Sequence, residues 1–234
     1  MSPDLWTVNL GLVDYREAHD LQERLRAARQ AGAIPDTLLL LEHPAVYTRG
    51  RRSEPGELGM GEEWYRDRGI DIVDVDRGGK VTYHGPGQLV GYPIVAIDDV
   101  MEYVAQIERA IAAALDDEGI AARGRSHEGI AWTGVWVEDR KLASIGLHVS
   151  QGVAKHGFAV NVDNSLEPFG WIVPCGLPEV RMTSVSAEAT DAGPHLECFR
   201  KRMGWRFAEA HGSRQRLMSR ARLEAALGAA AVPA

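Results

Sequence analysis

The chain has 234 residues, 45% of them hydrophobic and 25% charged, which is the balance of an ordinary globular protein. Its 26 lysine and arginine residues face 33 aspartate and glutamate residues, and the resulting net charge of −7 argues against a protein that coats nucleic acid. Two cysteines are too few for a disulfide scaffold. The first residues lack the pattern of a secretory signal, and no apolar run reaches the ~18 residues of a membrane span. The sequence therefore predicts a cytoplasmic protein without a nucleic-acid or membrane partner.

Helical and strand patterns alternate in the first part of the chain. Apolar residues at three- and four-residue spacing predict an amphipathic helix over residues 14–31, which Gly32 ends. The continuous apolar run TLLLLE at residues 37–42 is typical of a strand that is covered on both faces. Further strands are predicted at residues 70–75 and 88–96.

The clearest helix covers residues 99–118, where Asp99 and Glu102 form a capping pattern ahead of an apolar stripe. After this helix the hydrophobic period changes to two, which predicts three consecutive strands. The strands are expected at residues 130–137, 141–149 and 153–162, with turns at 138–140 and 151–152. No linker or repeat divides the chain. The sequence thus predicts an α/β (α+β) fold class, with a mixed β-sheet flanked by helices in a single domain.

A glycine-rich segment, RGGKVTYHGPGQ at residues 77–88, follows a predicted strand directly. It matches neither the P-loop nor the dinucleotide-binding fingerprint. Its bare backbone can lie close to a ligand, and bulky polar side chains stand between the glycines. We interpret the segment as a ligand-binding loop; the alternative is a surface connection between two strands.

Lys141 stands at the start of the predicted strand KLASIGLHV. Residues two apart in a strand share a face, so this lysine is expected on the apolar side with Ala143, Ile145 and Leu147. Two interpretations follow from that position. The side chain either reaches water from the end of the strand, or is partly buried and available for proton transfer.

Cys175 lies in the segment IVPCGLP at residues 172–178, where prolines and a glycine enforce sharp turns. This rigid setting suits a nucleophile, provided that a cationic neighbour promotes the thiolate. Cys198 is instead expected to be a buried, inert residue of a helix. The cysteine and histidine spacing predicts no metal site.

Five segments in this order resemble a known family, the lipoyl(octanoyl) transferases, also called octanoyl–acyl-carrier-protein:protein transferases. The segments are LLLLEHPAVYTRGRR, RGGKVTYHGPGQLVGYP, RKLASIG, HGFAVNV and PCGL. The resemblance implies the fold of the biotin- and lipoate-protein ligase catalytic domains. The resemblance covers core motifs over residues 38–186, within a catalytic domain predicted over residues 1–190. Residues 191–234 are predicted to form a C-terminal helical segment that is part of this domain or packed on it.

The resemblance also implies roles for individual residues. Cys175 matches the nucleophile that carries the acyl thioester, and Lys141 matches the lysine that promotes its thiolate and handles protons. The implied substrate-binding residues are Arg77, Gly78, Gly79, Lys80, Val81, Thr82, Tyr83, His84, Ser144, Ile145, Gly146, Gly157, Phe158 and Ala159.

The function implied is transfer of an octanoyl or lipoyl group from acyl carrier protein, through a cysteine thioester, to a lysine. The implied acceptors are the lipoyl domains of 2-oxoacid dehydrogenase complexes and the glycine cleavage H protein, and no cofactor or metal is implied. Two alternatives stay open. One is an ATP-dependent lipoate- or biotin-protein ligase of the same fold, and the other is a non-catalytic scaffold that retains the fold.

Three arginines, Arg49, Arg51 and Arg52, form a basic cluster upstream of the glycine-rich loop. An acidic carrier protein would be repelled by a chain of net charge −7 unless a basic patch received it. We therefore expect this cluster to dock the carrier protein; the alternative is a solvated loop.

Overall fold

A computed structural model describes residues 2–172, 180–189 and 196–230 of the chain. The strands in these ranges are β1 (Asp4–Leu12), β2 (Thr37–Glu42), β3 (Val46–Arg49), β4 (Asp71–Asp74), β5 (Thr82–His84), β6 (Gln88–Ala96), β7 (Arg123–Gly124), β8 (Gly134–Val137), β9 (Arg140–Ser150), β10 (Val153–Asn161), β11 (Arg181–Met182) and β12 (Arg214–Met218). The α-helices are α1 (Tyr15–Gln30), α2 (Glu62–Arg66), α3 (Val100–Asp116), α4 (Val185–Glu188), α5 (Leu196–Ala210) and α6 (Arg220–Ala230).

A large mixed sheet organises the fold, with the strand order β12-β1-β2-β6-β10-β9-β8-β7 and with β11 beside β9. Strand β1 runs parallel to β12 and β2. The ladder from β2 through β6, β10 and β9 to β8 is antiparallel. This arrangement confirms the predicted fold class, a mixed sheet flanked by helices in a single domain.

The four consecutive leucines of β2 show why its apolar run is unbroken. Leu38 and Leu40 belong to the core beneath α3 and α5, whereas Leu39 and Leu41 belong to the core beneath α1 and α6. Because helices cover both faces of the sheet, both sets of alternating side chains are buried. The predicted bounds of β2 and β6 are confirmed.

The two predicted helices begin at the expected caps. The Asp14 carboxylate accepts hydrogen bonds from two backbone N–H groups at the start of α1, and Asp99 accepts one from Glu102 N at 2.8 Å at the start of α3. Gly32 and Gly119 follow the helices with φ of +69° and +73°, the left-handed conformation that ends a helix without a Cβ clash.

A smaller sheet, in the order β4-β3-β5, carries the glycine-rich loop. Its aromatic side chains pack against the 3₁₀ turn Glu167–Trp171. The Tyr47 hydroxyl donates to Pro168 O at 2.6 Å, and the Tyr65 hydroxyl donates to Trp171 O at 2.6 Å. The smaller sheet that carries the loop is therefore held rigidly.

The first half of residues 130–137 departs from the predicted strand. It forms a 3₁₀ turn, and only Gly134–Val137 pairs with β9. The reason lies in α3, where the buried carboxylate of Glu108 accepts hydrogen bonds from the backbone N–H groups of Ser126 and Gly134 at 3.0 and 2.9 Å. These bonds fix the chain against α3 before and after the 3₁₀ turn.

The described part of the chain holds other features that the sequence patterns did not predict. Strands β1 and β12 form an edge of the large sheet by parallel pairing between the two ends of the chain. Cys198 is exposed on α5, so its predicted burial is wrong, and its neighbour Phe199 takes the buried position. Among the described helices, none combines the length and apolar character needed to cross a bilayer.

Candidate active site

A cavity of about 360 Å³ opens where the glycine-rich loop crosses strands β9 and β10. Most of the residues predicted to bind substrate line it, and so does the predicted catalytic lysine. These residues are Arg77, Gly78, Gly79, Lys80, Thr82, His84, Lys141, Ser144, Ile145, Gly146, Gly157, Phe158 and Ala159.

Two of the predicted site residues within the described ranges are not among the cavity-lining residues. Val81 and Tyr83 are buried in the aromatic cluster of the smaller sheet, where the Tyr83 ring lies 5.4 Å from the Tyr47 ring. These two residues therefore support the loop from behind. Cys175 lies outside the described residues.

Close backbone contacts explain the glycines of the site. Gly78 N donates to Leu147 O at 2.9 Å, which fastens the loop to β9. A Cβ on Gly146 would lie 2.9 Å from Gly78 O, and a Cβ on Gly157 would collide with Gly91 O. Side chains at these positions would push the loop or the strands apart.

The cations of the loop are already engaged. Arg77 is 8% exposed, and its guanidinium donates to Thr48 O at 2.6 Å and Thr48 Oγ1 at 2.7 Å. The Lys80 ammonium lies 2.9 Å from a Glu54 oxygen and 3.2 Å from a Glu57 oxygen, and these carboxylates raise the pKa of Lys80. Both side chains therefore shape the loop as well as line the cavity.

A β-bulge sets the direction of Lys141. Trp136 pairs with Lys141, but the preceding residue Val135 pairs with Ala143, so one extra residue lies on β9. The bulge places Lys141 on the same face as Ser144 and on the opposite face from Ala143. The predicted face is therefore wrong. The side chain is 2% exposed, so the interpretation that it reaches water from the strand end is also wrong.

Uncharged polar rings also line the cavity. His84 Nδ1 lies 2.7 Å from Gln88 Oε1. Burial lowers the pKa of His84 to about 3. Burial likewise raises the pKa of Tyr15 to about 12 and that of Tyr92 well above its usual value. These groups are neutral near pH 7 and can orient a ligand by hydrogen bonds.

His156 is a further residue of the cavity wall, and the sequence patterns did not predict it. Its Nε2 lies 2.7 Å from an Asp76 oxygen, and the Nζ of the fully buried Lys155 lies 2.9 Å from the other oxygen. Burial alone would raise the pKa of Asp76, but these two donors hold it well below its usual value. His156 is the first residue of the HGFAVNV motif, which could have indicated it as a site residue. Only Gly157, Phe158 and Ala159 of that motif were predicted to bind substrate.

The same cluster brings His19, Asp76 and His156 within the range of a shared metal ion. The Lys155 ammonium already lies against the Asp76 carboxylate and also pairs with Glu23. The Lys155 ammonium therefore already supplies the positive charge at this position. We interpret the cluster as a network of ion pairs and hydrogen bonds.

Apolar side chains form the open side of the cavity. Val100 and Met101 at the start of α3 are 45% and 50% exposed, and Ile130 is 62% exposed. Exposed apolar residues around a cavity mark a surface that can receive an apolar ligand or a partner protein.

Only two of the three arginines in the predicted basic cluster are available to a partner. Arg49 pairs with Asp74 at 2.6 Å and with Glu62 at 2.5 Å. Arg51 and Arg52 are exposed, and Arg52 lines the cavity. The charge that can meet a partner at this edge therefore lies on Arg51 and Arg52.

Comparisons with known proteins agree with this architecture. Residues 14–207 match the family described as the lipoyl protein ligase A/B catalytic domain. The octanoyltransferase of Dictyoglomus thermophilum is 44% identical over 189 residues, which cover 81% of this chain and 80% of that protein. The octanoyltransferase of Mycobacterium avium is 48% identical over 191 residues, 76% of each chain.

A solved structure shares the fold at low sequence identity. The lipoate protein ligase of the archaeal lipoylation system of Thermoplasma acidophilum superposes with a TM-score of 0.73 and 16% identity, covering 98% of this chain and 91% of that one. By its sequence relatives, its family match and its fold, the chain belongs to the lipoyl protein ligase A/B catalytic domain family and, within it, to the octanoyltransferases.

Proposed function

We propose that this octanoyltransferase takes its acyl group from acyl carrier protein, holds it as a thioester on Cys175, and passes it to a lysine of a lipoyl domain. The observation that carries the proposal is the placement of Lys141 in the cavity beside β11. Met182 of that strand pairs with Lys141, and Thr183 N donates to Lys141 O at 2.9 Å. The chain that follows the Cys175 segment thus runs directly along the lysine strand.

In the first step, the Cys175 thiolate attacks the carbonyl carbon of the carrier thioester. A new C–S bond forms, the bond to the carrier sulfur breaks, and the carrier leaves as its thiol after taking a proton. The Lys141 ammonium stabilises the attacking thiolate and can supply that proton. Burial of the lysine strengthens its attraction for the thiolate.

In the second step, the neutral amine of the acceptor lysine attacks the enzyme thioester. A C–N bond forms, the C–S bond breaks, and one amine proton passes to Lys141, which pairs again with the thiolate. The product is an amide. Because an amide is more stable than a thioester, the sequence of steps is downhill without ATP.

Each step passes through an oxyanion that needs hydrogen-bond donors. The loop of Gly78 and Gly79 is one candidate, together with backbone near Gly176, which lies outside the described residues. Gly78 N already donates to Leu147 O. Of Gly78 and Gly79, the N–H group that we assign to the oxyanion is therefore that of Gly79.

The proposed acceptors are the lipoyl domains of 2-oxoacid dehydrogenase complexes and the glycine cleavage H protein. Their modified lysine must reach the cavity past the apolar rim of Met101 and Ile130. Exposed apolar side chains at the entrance suit such a protein–protein encounter.

The test is intact mass spectrometry after incubation with octanoyl–acyl carrier protein. We expect one octanoyl adduct that is released by hydroxylamine, lost in Cys175→Ser and kept in Cys198→Ser, which is the matched control. Adding a lipoyl domain should then move the adduct to its lysine. An adduct that persists in Cys175→Ser contradicts the proposal. Pyrophosphate release from octanoate, ATP and magnesium would instead support a ligase.

A further inference from the structure

The backbone of His156 is strained. This residue lies in the middle of β10 with φ of +58°, a left-handed value that residues with a Cβ rarely adopt. Its backbone N–H donates to Gln22 Oε1 at 2.8 Å, which helps hold the conformation. Strain of this kind persists where the surroundings impose it, and it is concentrated at functional sites.

Asp76 fixes the orientation of the His156 ring. The ring Nε2 lies 2.7 Å from the carboxylate, which can only accept, so Nε2 carries the proton. Burial lowers the pKa of His156 to about 4, and the ring is therefore neutral near pH 7. In this tautomer Nδ1 bears the lone pair and acts as an acceptor.

The Nδ1 atom has no hydrogen-bond partner among the described residues, although it is buried. The His156 side chain is 1% exposed and lines the cavity. Buried acceptors are nearly always satisfied in folded proteins, so a cavity-wall acceptor without a partner among the described residues suits a donor from a bound molecule.

We propose that His156 Nδ1 accepts a hydrogen bond from an N–H group of a substrate, with Asp76 as the positioning residue that fixes the ring. This inference rests on the proposed function, because it concerns the same cavity. The octanoyl group itself has no donor. The N–H belongs either to an amide of the carrier's prosthetic arm or to the amine of the acceptor lysine, and the two half-reactions separate these sources.

Two substitutions of His156 separate its two nitrogens. In His156→Gln the terminal amide can replace Nε2 and still donate to Asp76, but no acceptor remains at the Nδ1 position. In His156→Asn the amide oxygen lies near the Nδ1 position, and asparagine tolerates the left-handed backbone. The matched control is His211→Gln, because His211 makes a similar contact to Asp36 at 3.1 Å and does not line the cavity.

Rates of both half-reactions are measured by rapid quench and intact mass. We expect His156→Gln to slow one half-reaction about tenfold, the scale of one lost hydrogen bond, and to leave the other within about twofold. His156→Asn keeps an acceptor near the Nδ1 position but loses the contact to Asp76, so it should recover part of the rate, and His211→Gln should match the wild type. Equal rates for His156→Gln and wild type overturn the inference, and so does an equal loss in both half-reactions that follows a fall in melting temperature.

A binding measurement keeps the inference testable even if no thioester forms on Cys175. Nitrogen-15 spectra of histidine-labelled Cys175→Ala enzyme are recorded with octanoyl–acyl carrier protein and, separately, with the lipoyl domain. We expect the Nδ1 resonance of His156 to move with one of the two proteins. A resonance that moves with neither overturns the inference, whereas absence of the Cys175 adduct in the wild type overturns only the proposed function.

Discussion

The Nζ of Lys141 lies 5.3 Å from the centre of the Trp136 ring, over a side chain that is itself fully buried. The pairing of these two residues beside the β-bulge directs the lysine into the cavity. The Trp136 Nε1–H donates to Trp132 O at 2.9 Å, which fixes the ring. The lysine is therefore held by a cation–π contact as well as by the strand.

Replacing Lys141 tests its relation to Cys175. We expect Lys141→Ala to raise the pH at which Cys175 is alkylated by about one unit or more, because the thiolate loses a nearby cation. Lys141→Arg should restore the charge and the alkylation profile but not acyl transfer, since arginine stays protonated. The measurement is the iodoacetamide rate against pH. Overlapping profiles for Lys141→Ala and wild type would show that the two side chains are not neighbours.

Gly146 tests the contact between the loop and β9. In Gly146→Ala the new Cβ would lie 2.9 Å from Gly78 O, so the loop must shift outward. We expect a higher KM for the acyl donor and a loss of about 1–3 kcal/mol in the free energy of unfolding, as in overpacked sites.

Gly170→Ala is the control for that substitution, because a Cβ there meets no atom of the described residues within 4 Å. It should leave both KM and stability near wild type. Donor kinetics and denaturant titrations check the pair. A Gly146→Ala enzyme with wild-type KM would mean that the close contact does not position the loop.

The buried histidines predict a pH dependence of stability. Burial lowers the pKa of His84 from 6.5 to about 3 in the folded protein, so between these values the unfolded chain binds the extra proton. The free energy of unfolding should therefore fall as the pH drops below about 6.5, by up to ~1.4 kcal/mol per pH unit and histidine. Urea titrations from pH 7 to pH 5 measure this slope.

The contribution of His84 to that slope can be isolated. His84→Asn should flatten it, whereas His127→Asn should not, because the His127 side chain is 69% exposed. An unchanged slope in His84→Asn would show that His84 is protonated alike in both states. Asp76 adds a further loss below about pH 4, since its lowered folded pKa gives stability that disappears only as acid protonates the carboxylate.

Periodicity predicted α1, α3, β2 and β6 because each buries a regular apolar pattern within one stretch of sequence. The β1–β12 edge was not predicted, since its parallel pairing joins Asp4 to Arg214 and no local pattern encodes it. The face of Lys141 was also missed. Its direction depends on a bulge opposite Val135 and Trp136, and the residues KLAS do not distinguish a bulged strand from a regular one.

In the candidate site, too, local sequence patterns predicted some residues and missed those whose role depends on distant parts of the chain. The glycine-rich loop and the lysine strand were identified locally, and most of their residues do line one cavity. His156 was not identified because its ring is oriented by Asp76, eighty positions away in sequence. Its left-handed backbone conformation is also not predictable from the local sequence.

Recognition of the carrier protein gives the last prediction. Arg49 is held by Asp74 and Glu62, so Arg51 and Arg52 are the residues of the basic cluster that can meet an acidic partner. Exposed charges of this kind act mainly on the rate of encounter and are screened over a Debye length of about 8 Å at physiological salt. We expect Arg51→Glu/Arg52→Glu to raise the KM for octanoyl–acyl carrier protein several-fold.

Two comparisons separate docking by these arginines from folding. A small octanoyl thioester without the carrier should acylate the double variant and the wild type at similar rates, since it offers no acidic surface. Rising salt should slow the wild type with the carrier but leave the variant nearly unchanged, because only the wild type has the attraction that salt screens.

Arg49→Gln should instead lower the melting temperature through loss of its two ion pairs. Equal losses with both donors would mean that Arg51 and Arg52 serve the fold of the loop and not the encounter.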